Sequence, residues 1–275
     1  MLTYQIYHIH KQRIMEKENL SPHHVLQHRS RIFRRWIKPV LSKLEGATFC
    51  VHLSDDPDKV LAEGMPNLCF CRRRDDDRDL RLIPDAHYQF HRGYIRKWKY
   101  RRLYRSLWED KIPKAVFRGS CTGPKPLSEN LRARLCSLAH PWIDARISMV
   151  NNGWEREDLK ELLGRKMSEK TMARYKYQID IDGNTNSWCG FFWKLMSGSL
   201  TFKVRSPWLQ WYYDDIVDGV HYVGVETLED LLEKMAYYRE HDEQAREIGQ
   251  TARLFTRDFL PEDQYRVFLD AVQKP

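Results

Sequence analysis

The sequence predicts an α/β protein in which two layered units with parallel strands flank a ligand cleft. Three observations predict it. Short β-prone runs alternate with helical stretches along most of the chain, the pattern of parallel sheets covered by helices. Acidic or glycine-containing turns follow the strands at their carboxyl ends, where open α/β sheets bind ligands. Pro113 interrupts the alternation and sets a boundary, and 275 residues suit two modest domains or one large one.

The elements follow in order. Residues 4–45 are polar and basic, and Phe33, Trp36, Ile37, Val40, Leu41 and Leu44 recur at helical spacing. One or two helices are expected there, with a kink or break at Pro39. Ala47–Leu53 is a β-prone run ending in a Ser-Asp-Asp-Pro turn, and NLCFC over 67–71 is a second short strand followed by a charged loop, 72–81. The aromatic stretch His87–Tyr94 leads into a basic helix from Ile95 to Trp108. Beyond Pro113, Lys114–Arg118 is a strand, Gly119–Pro126 a turn-rich loop, Glu129–Ala139 a helix and Ile143–Met149 a weak strand. Ser168 caps a short helix to Arg174. Tyr177–Ile181, Leu200–Val204 and Tyr222–Val225 are strands. Trp188–Met196, Leu228–Arg239, Asp242–Arg257 and Glu262–Val272 are helices.

Apolar residues at 42% and charged residues at 31% describe a globular chain, which excludes a disordered or fibrous one. Nine Trp, fourteen Tyr and eleven Phe supply rings for a core or for the walls of a pocket. A net charge of +8 points to an anionic partner: nucleic acid, anionic lipid or a phosphorylated small molecule. Ten Lys or Arg between Arg92 and Arg118 face only Glu109 and Asp110, as a solvated helix face or a functional surface. With no run of eighteen apolar residues, no membrane-spanning helix is expected. The opening MLTYQIYHIHKQRIMEK lacks the features of a signal peptide, so the expected location is the cytoplasm, with peripheral contact to an anionic membrane left open. Cys50, Cys69, Cys71, Cys121, Cys136 and Cys189 form no C-x-x-C pair, and His23 and His24 lack a partner motif. No metal site is expected, and the thiols read as free or as small core residues.

Four constellations could carry chemistry. Phe117-Arg118-Gly119-Ser120-Cys121-Thr122-Gly123 follows a strand, and its glycines, hydroxyls and Arg118 suit a diphosphate cradle or, equally, an ordinary turn with a surface Arg. Asp182-Gly183-Asn184 ends a strand and feeds a helix start, which favours an anion or is a turn capped by Asn186 or Ser187; Ser197-Gly-Ser199 then leads to Lys203. Asp55 and Asp56 sit at a strand's carboxyl end, where a carboxylate could take a proton from an attacking hydroxyl or simply shape a turn before Pro57. Trp208-Leu-Gln-Trp-Tyr-Tyr-Asp214 is aromatic enough to stack a base or sugar, or to pack.

In their order, PKAVFRGSCTG, KYQIDIDGNTNSW, KLMSGSLTFKV, WLQWYYDDI, HYVGV and REHDEQAREIGQTARLFTRDFL resemble glycosyltransferase family 90 over about residues 45–272. That family includes fungal capsule-associated proteins, animal protein O-glucosyltransferases and bacterial lipopolysaccharide-modifying relatives. The resemblance implies a GT-B-like fold of two Rossmann-like halves facing a cleft. Residues 1–112 would be the acceptor side with the catalytic base, 113–257 the nucleotide-sugar half, and 258–275 a closing helix. It implies an inverting UDP-sugar glycosyltransferase with no required metal and no cofactor beyond its donor. Asp55 matches the family's base, with Asp56 as fallback. Arg118, Gly119, Ser120 and Thr122 match its phosphate-side loop, and Asp182, Gly183, Asn184, Ser187, Lys194, Lys203 and Gln210 complete the expected donor contacts. Phe191 stands where eukaryotic members carry an Arg, which brings the sequence closer to bacterial members. Lys194 could restore that charge. The expected partners are a UDP-sugar, with glucose or xylose the usual donors, and a glycan or glycolipid acceptor such as a lipopolysaccharide core. The rivals are a basic nucleic-acid-binding protein and a non-catalytic glycan-binding relative.

Overall fold

The structure is a computed structural model that describes residues 3–16, 23–91, 93, 106–151, 153–257, 259 and 261–273, so most of the helix expected from Ile95 to Trp108 lies outside the described residues. The chain forms two compact units. One takes the described residues up to 93 together with Pro207–Asp214 and the tail from Phe259; the other takes 106–206 and 215–257.

The first unit begins with strands where helix was expected. β1 (Tyr4–His10) and β2 (Arg13–Glu16) form an antiparallel hairpin. Its loop, Lys11-Gln12, has φ of 47° and 55°, so both central residues are left-handed, as in the two-residue turns that match strand twist. Asn-Gly usually signals that turn. Lys-Gln does not, because the conformation is held from outside: the Glu45 carboxylate accepts both loop amides, at 2.8 and 3.1 Å. β3 (Thr48–His52), β4 (Asn67–Cys69) and β6 (Leu80–Leu82) complete a sheet in the order β2-β1-β3-β4-β6. Only β3, β4 and β6 run parallel, so this sheet is mixed rather than parallel throughout.

α1 (His24–Ile37) buries Leu26, Phe33, Trp36 and Ile37, and its last turn tightens into a 3-10 segment, Lys38–Leu44, at the expected Pro39. Phe33 meets Tyr7 and Phe49 with ring centroids 5.1 and 6.2 Å apart. The remaining elements here are β5 (Arg72–Arg73), α2 (Ala86–Phe90) and two pieces from the distant sequence. β11 (Trp208–Leu209) pairs antiparallel with β5. The tail helix, Pro261–Gln273, puts Phe268 within 5.7 Å of the Phe33 and Phe49 ring centroids, so it is part of this core rather than a separate closing segment.

In the second unit every strand pair is parallel. β7 (Ile112–Ser120), β8 (Ile143–Met149), β9 (Tyr175–Asp180), β10 (Leu200–Val204) and β12 (Val223–Val225) stand in the order β12-β10-β9-β7-β8. The helices are α3 (Leu131–Ser137), α4 (Glu169–Met172), α5 (Cys189–Met196), α6 (Leu228–Glu240) and α7 (Asp242–Arg257). Phe117, Ile147, Tyr177, Ile179, Leu200, Phe202 and Leu231 form its core. This unit begins before Pro113 because Trp108 and Lys111 are already tied to it. Trp108 Nε1 donates to Asp242 at 2.8 Å, and the buried Lys111 ammonium donates to the Ala173 carbonyl and the Ser199 hydroxyl.

The strand order also gives the sheet a switch point. β7 comes first in sequence, β8 lies on one side of it and β9 on the other. The chain therefore reverses direction across β7, and the loops leaving β7 and β9 at their carboxyl ends flank the switch point, the place where open α/β sheets bind ligands.

Candidate functional site

Those two loops touch. Gly123 adopts φ 116°, and its amide donates to Asn184 Oδ1 at 3.0 Å. Thr122 Oγ1 lies so close to Gly183 that a Cβ there would sit 2.2 Å from it. Arg132, on α3, clamps both loops from beneath: Nη1 donates to the Ser120 carbonyl and Thr122 Oγ1 at 3.0 and 2.6 Å, while Nε and Nη2 donate to the Ile181 carbonyl. Burial pushes the Arg132 pKa down, and Asp180 and Asp182 oppose that shift. The sequence pattern of α3 marks Arg132 as one cation among several, so nothing there foretold this role. Gly183→Ala is expected to drive the two loops apart and weaken any ligand bound at them by tenfold or more, on the order of 1–3 kcal/mol for overpacking. Titration of the variant with UDP checks it, and unchanged affinity would count against a ligand site at these loops.

The wall continues into a buried ionic cluster. Lys203 is in register with Asp180 across β10 and β9. Lys203 Nζ meets Asp180 Oδ2 at 2.8 Å and Asp182 Oδ1 at 2.5 Å; Lys194 Nζ, from α5, meets Asp180 Oδ1 at 2.5 Å; and Ser187 Oγ donates to Asp180 Oδ2 at 2.8 Å. Burial acts to raise the Asp180 carboxyl, but the two ammonium groups outweigh it and hold the carboxyl well below the usual range. Burial likewise acts to lower Lys203, and its two carboxylates hold it above the usual lysine value. Two Lys against two Asp leave the cluster neutral. Lys194 and Lys203, expected as donor contacts, thus spend their charge inside the wall. Asp180 was not singled out from sequence, yet one acid in YQID and one base in LTFKV, each within an apolar strand, were its signal.

Between β9 and α5 lie the groups left over. Thr185 Oγ1 and Asn186 Nδ2 are buried, at 3% and 2% residue exposure, and have no hydrogen-bond partner among the described residues. Neither Asn186 nor Ser187 caps α5: Asn186 Oδ1 accepts from the Trp188 amide, and Ser187 is held by Asp180. Trp188 enters the helix at φ 51°, strain of order 1–3 kcal/mol for a residue of this size. Phe191, at the expected Arg position, is buried and packs edge-on against Tyr222.

Three further expected contacts are engaged by the protein itself. Arg118 lies on β7, and four of its five N–H groups donate to protein: Nη2 to Asp144 Oδ1 at 2.7 Å, and the others to the carbonyls of Phe117, Asp144 and Arg165. A phosphate could use that fork only by displacing Asp144, because Asp144 on the neighbouring strand β8 already fills it. Gly119 follows on the same strand, and a Cβ there would fall 2.8 Å from the Phe117 ring. Gln210 belongs to the first unit, where it is buried and donates to Asp85 Oδ2 at 3.0 Å. The aromatic run around it packs: Trp211 meets Tyr88 edge-on and donates to Gln264.

Asp55 and Asp56 also belong to the first unit, in the turn after β3. Arg29 Nη2 donates to Asp55 Oδ1 at 2.6 Å, and Cys71 Sγ donates to the Asp55 carbonyl. The Asp55 side chain remains 43% exposed. Burial raises the neighbouring Asp56 carboxyl, with Arg78 opposing. Among the described residues, no group of three His, Cys, Asp or Glu side chains is arranged to hold a metal ion.

The sequence model described as glycosyl transferase family 90 matches residues 84–269, more than half of the chain. The chain belongs to that family. The match takes in the β7 and β9 loops, the ionic cluster and the tail helix as far as residue 269, while Asp55 lies ahead of it. Protein O-glucosyltransferase 3 of Rattus norvegicus is 33% identical over 171 residues, covering 61% of this chain and 32% of its own length. Human protein O-glucosyltransferase 1 is 30% identical over 164 residues, covering 57% and 39%. The chain thus spans roughly a third of the curated relatives it matches. A crystal structure of Anabaena HepE in complex with UDP-glucose aligns with a TM-score of 0.43 at 13% identity, covering 61% of this chain and 54% of that one.

Proposed function

We propose that this chain is an inverting glycosyltransferase that moves a sugar from a UDP-sugar to an acceptor hydroxyl. The observation that carries the reading is the meeting of Thr122-Gly123 with Gly183-Asn184 at the carboxyl ends of β7 and β9, beside Thr185 Oγ1 and Asn186 Nδ2, which have no hydrogen-bond partner among the described residues. Buried polar groups without partners are costly, and a nucleotide-sugar would satisfy them. The start of α5 supplies amides that favour the diphosphate. These groups, rather than Arg118, Lys194 or Lys203, are the donor contacts of this proposal, and no metal ion is needed in it.

Asp55 is the proposed base. It takes the acceptor proton as the hydroxyl oxygen bonds to the anomeric carbon, and the UDP oxygen leaves with the electron pair on the opposite face. The expected GT-B arrangement belongs to the same proposal. A glycan or glycolipid hydroxyl, of the lipopolysaccharide kind, is the first acceptor reading, with the reaction in the cytoplasm or at the inner face of an anionic membrane. The names of the relatives favour a second: a protein hydroxyl as acceptor and glucose as the sugar.

A thermal-shift panel of UDP, UDP-glucose, UDP-xylose, UDP-galactose and GDP- or ADP-sugars tests the donor. UDP compounds at about 100 times their Kd should stabilise the protein by about 2.7 kcal/mol. Stabilisation by oligonucleotides and not by UDP would favour the nucleic-acid reading instead.

A further inference from the structure

We propose that Arg29 is the residue that positions the Asp55 carboxylate for proton removal, an inference that rests on Asp55 being the base. Arg29 lies on α1, and its planar guanidinium spans the turn. Nη1 donates to the Leu53 carbonyl at 2.7 Å, and Nη2 donates to Asp55 Oδ1 at 2.6 Å. A two-pronged contact of this kind fixes orientation as well as distance. It locks the carboxylate to the backbone two residues before it.

The pair is asymmetric. The Arg29 side chain is 14% exposed and that of Asp55 43%. One carboxylate oxygen is therefore held from the protein side. The other, Oδ2, has no hydrogen-bond partner among the described residues and is left to receive a proton.

The backbone of the turn is held by other groups. Cys71 Sγ donates to the Asp55 carbonyl, Ser54 Oγ donates to the Asp56 carbonyl, and His52 Nδ1 accepts from the Asp58 amide at 3.2 Å. His52 is itself fixed through Nε2 to Asn67 Oδ1 at 3.2 Å. The main chain thus has three anchors that do not involve Arg29, whereas among the described residues the Asp55 carboxylate has Arg29 alone. Arg29 acts on the direction of Oδ2 and touches no reacting atom.

The test measures UDP release from UDP-glucose together with UDP affinity and Tm. Arg29→Ala should lower kcat by about a hundredfold, the cost of roughly 1 Å of misplacement, while UDP affinity changes by less than about twofold. Free guanidinium at low millimolar concentration should restore part of that loss in Arg29→Ala and none in Asp55→Asn. Arg29→Lys keeps the charge but cannot bridge both acceptors, so it should fall between wild type and Ala. Should Arg29→Ala fail to fold, Arg29→Lys and Arg29→Gln carry the same comparison. Wild-type kcat in the Arg29 variants beside an inactive Asp55→Asn overturns the inference. So does a loss that guanidinium does not rescue and that follows the fall in Tm. An active Asp55→Asn, or a wild-type chain that releases no UDP, overturns the underlying reading of the base instead.

Discussion

Asp55→Asn should abolish sugar transfer while leaving UDP binding and thermal stability near wild type. The substitution keeps the shape of the side chain, and its carbonyl oxygen can still accept from Arg29 Nη2. It removes only the charge and the capacity to take a proton. General-base assistance is worth about 10²–10⁴-fold, so turnover should drop by that factor. Stability should move little, because the Asp55 side chain is 43% exposed and the turn keeps its bond from Cys71 to the Asp55 carbonyl. Measuring UDP release beside a UDP thermal shift separates the two effects. Near-normal turnover would reject Asp55. In that case Asp56→Asn, the parallel variant, shows whether the base sits one residue further on. Asp56 lies between Ser54 Oγ, which donates to its carbonyl, and Arg78, which works against the upward push of burial on its carboxyl.

How much of this was legible depends on where each signal resides. β8, β10 and α7 have the ends their sequences predict because those sequences carry local pattern: alternation in the strands and a polar, alanine-containing helix. The β1–β2 hairpin was missed because its turn is held by Glu45, more than thirty residues away, and Lys11-Gln12 carries none of the usual turn chemistry. The residues of the compact units follow from similar distant contacts. Trp108 and Lys111 join the second unit through Asp242, Ala173 and Ser199, and β11 joins the first through β5. The β7 and β9 loops were legible as glycine-bearing turns after strands. What their neighbours do was not: Arg118 is held by Asp144 and Arg132 clamps the loops, pairings that only the sheet order brings together.

The second large effect concerns the ionic cluster, and it decides whether Lys194 and Lys203 build the wall or bind the donor. Asp180→Asn leaves two buried ammonium groups facing the single carboxylate of Asp182. Breaking a buried pair on one side costs about 3–5 kcal/mol, so the variant should be destabilised by that much in urea. Adding Lys194→Met restores one cation to one anion, since Lys203 keeps Asp182 at 2.5 Å. The double variant should therefore regain on the order of 2 kcal/mol over Asp180→Asn. The pH dependence has a definite sign. The Asp180 carboxyl is depressed in the folded state, so its stabilisation is complete above the ordinary carboxylate range and is lost as pH falls through the depressed value. Lys203 is raised, so its share is complete below the ordinary lysine value and is lost as pH rises above it. Wild-type stability should accordingly fall below about pH 4 more steeply than that of Asp180→Asn. Should Lys194→Met instead weaken UDP binding at unchanged stability, Lys194 would be a donor contact after all. If the double variant proves less stable than the single, the unpaired ammonium is not the cost. The expected result makes the cluster a neutral, rigid support: it holds Ser187 and Asp182 in place, and with them the loop between β9 and α5 where Thr185 Oγ1 and Asn186 Nδ2 have no hydrogen-bond partner among the described residues.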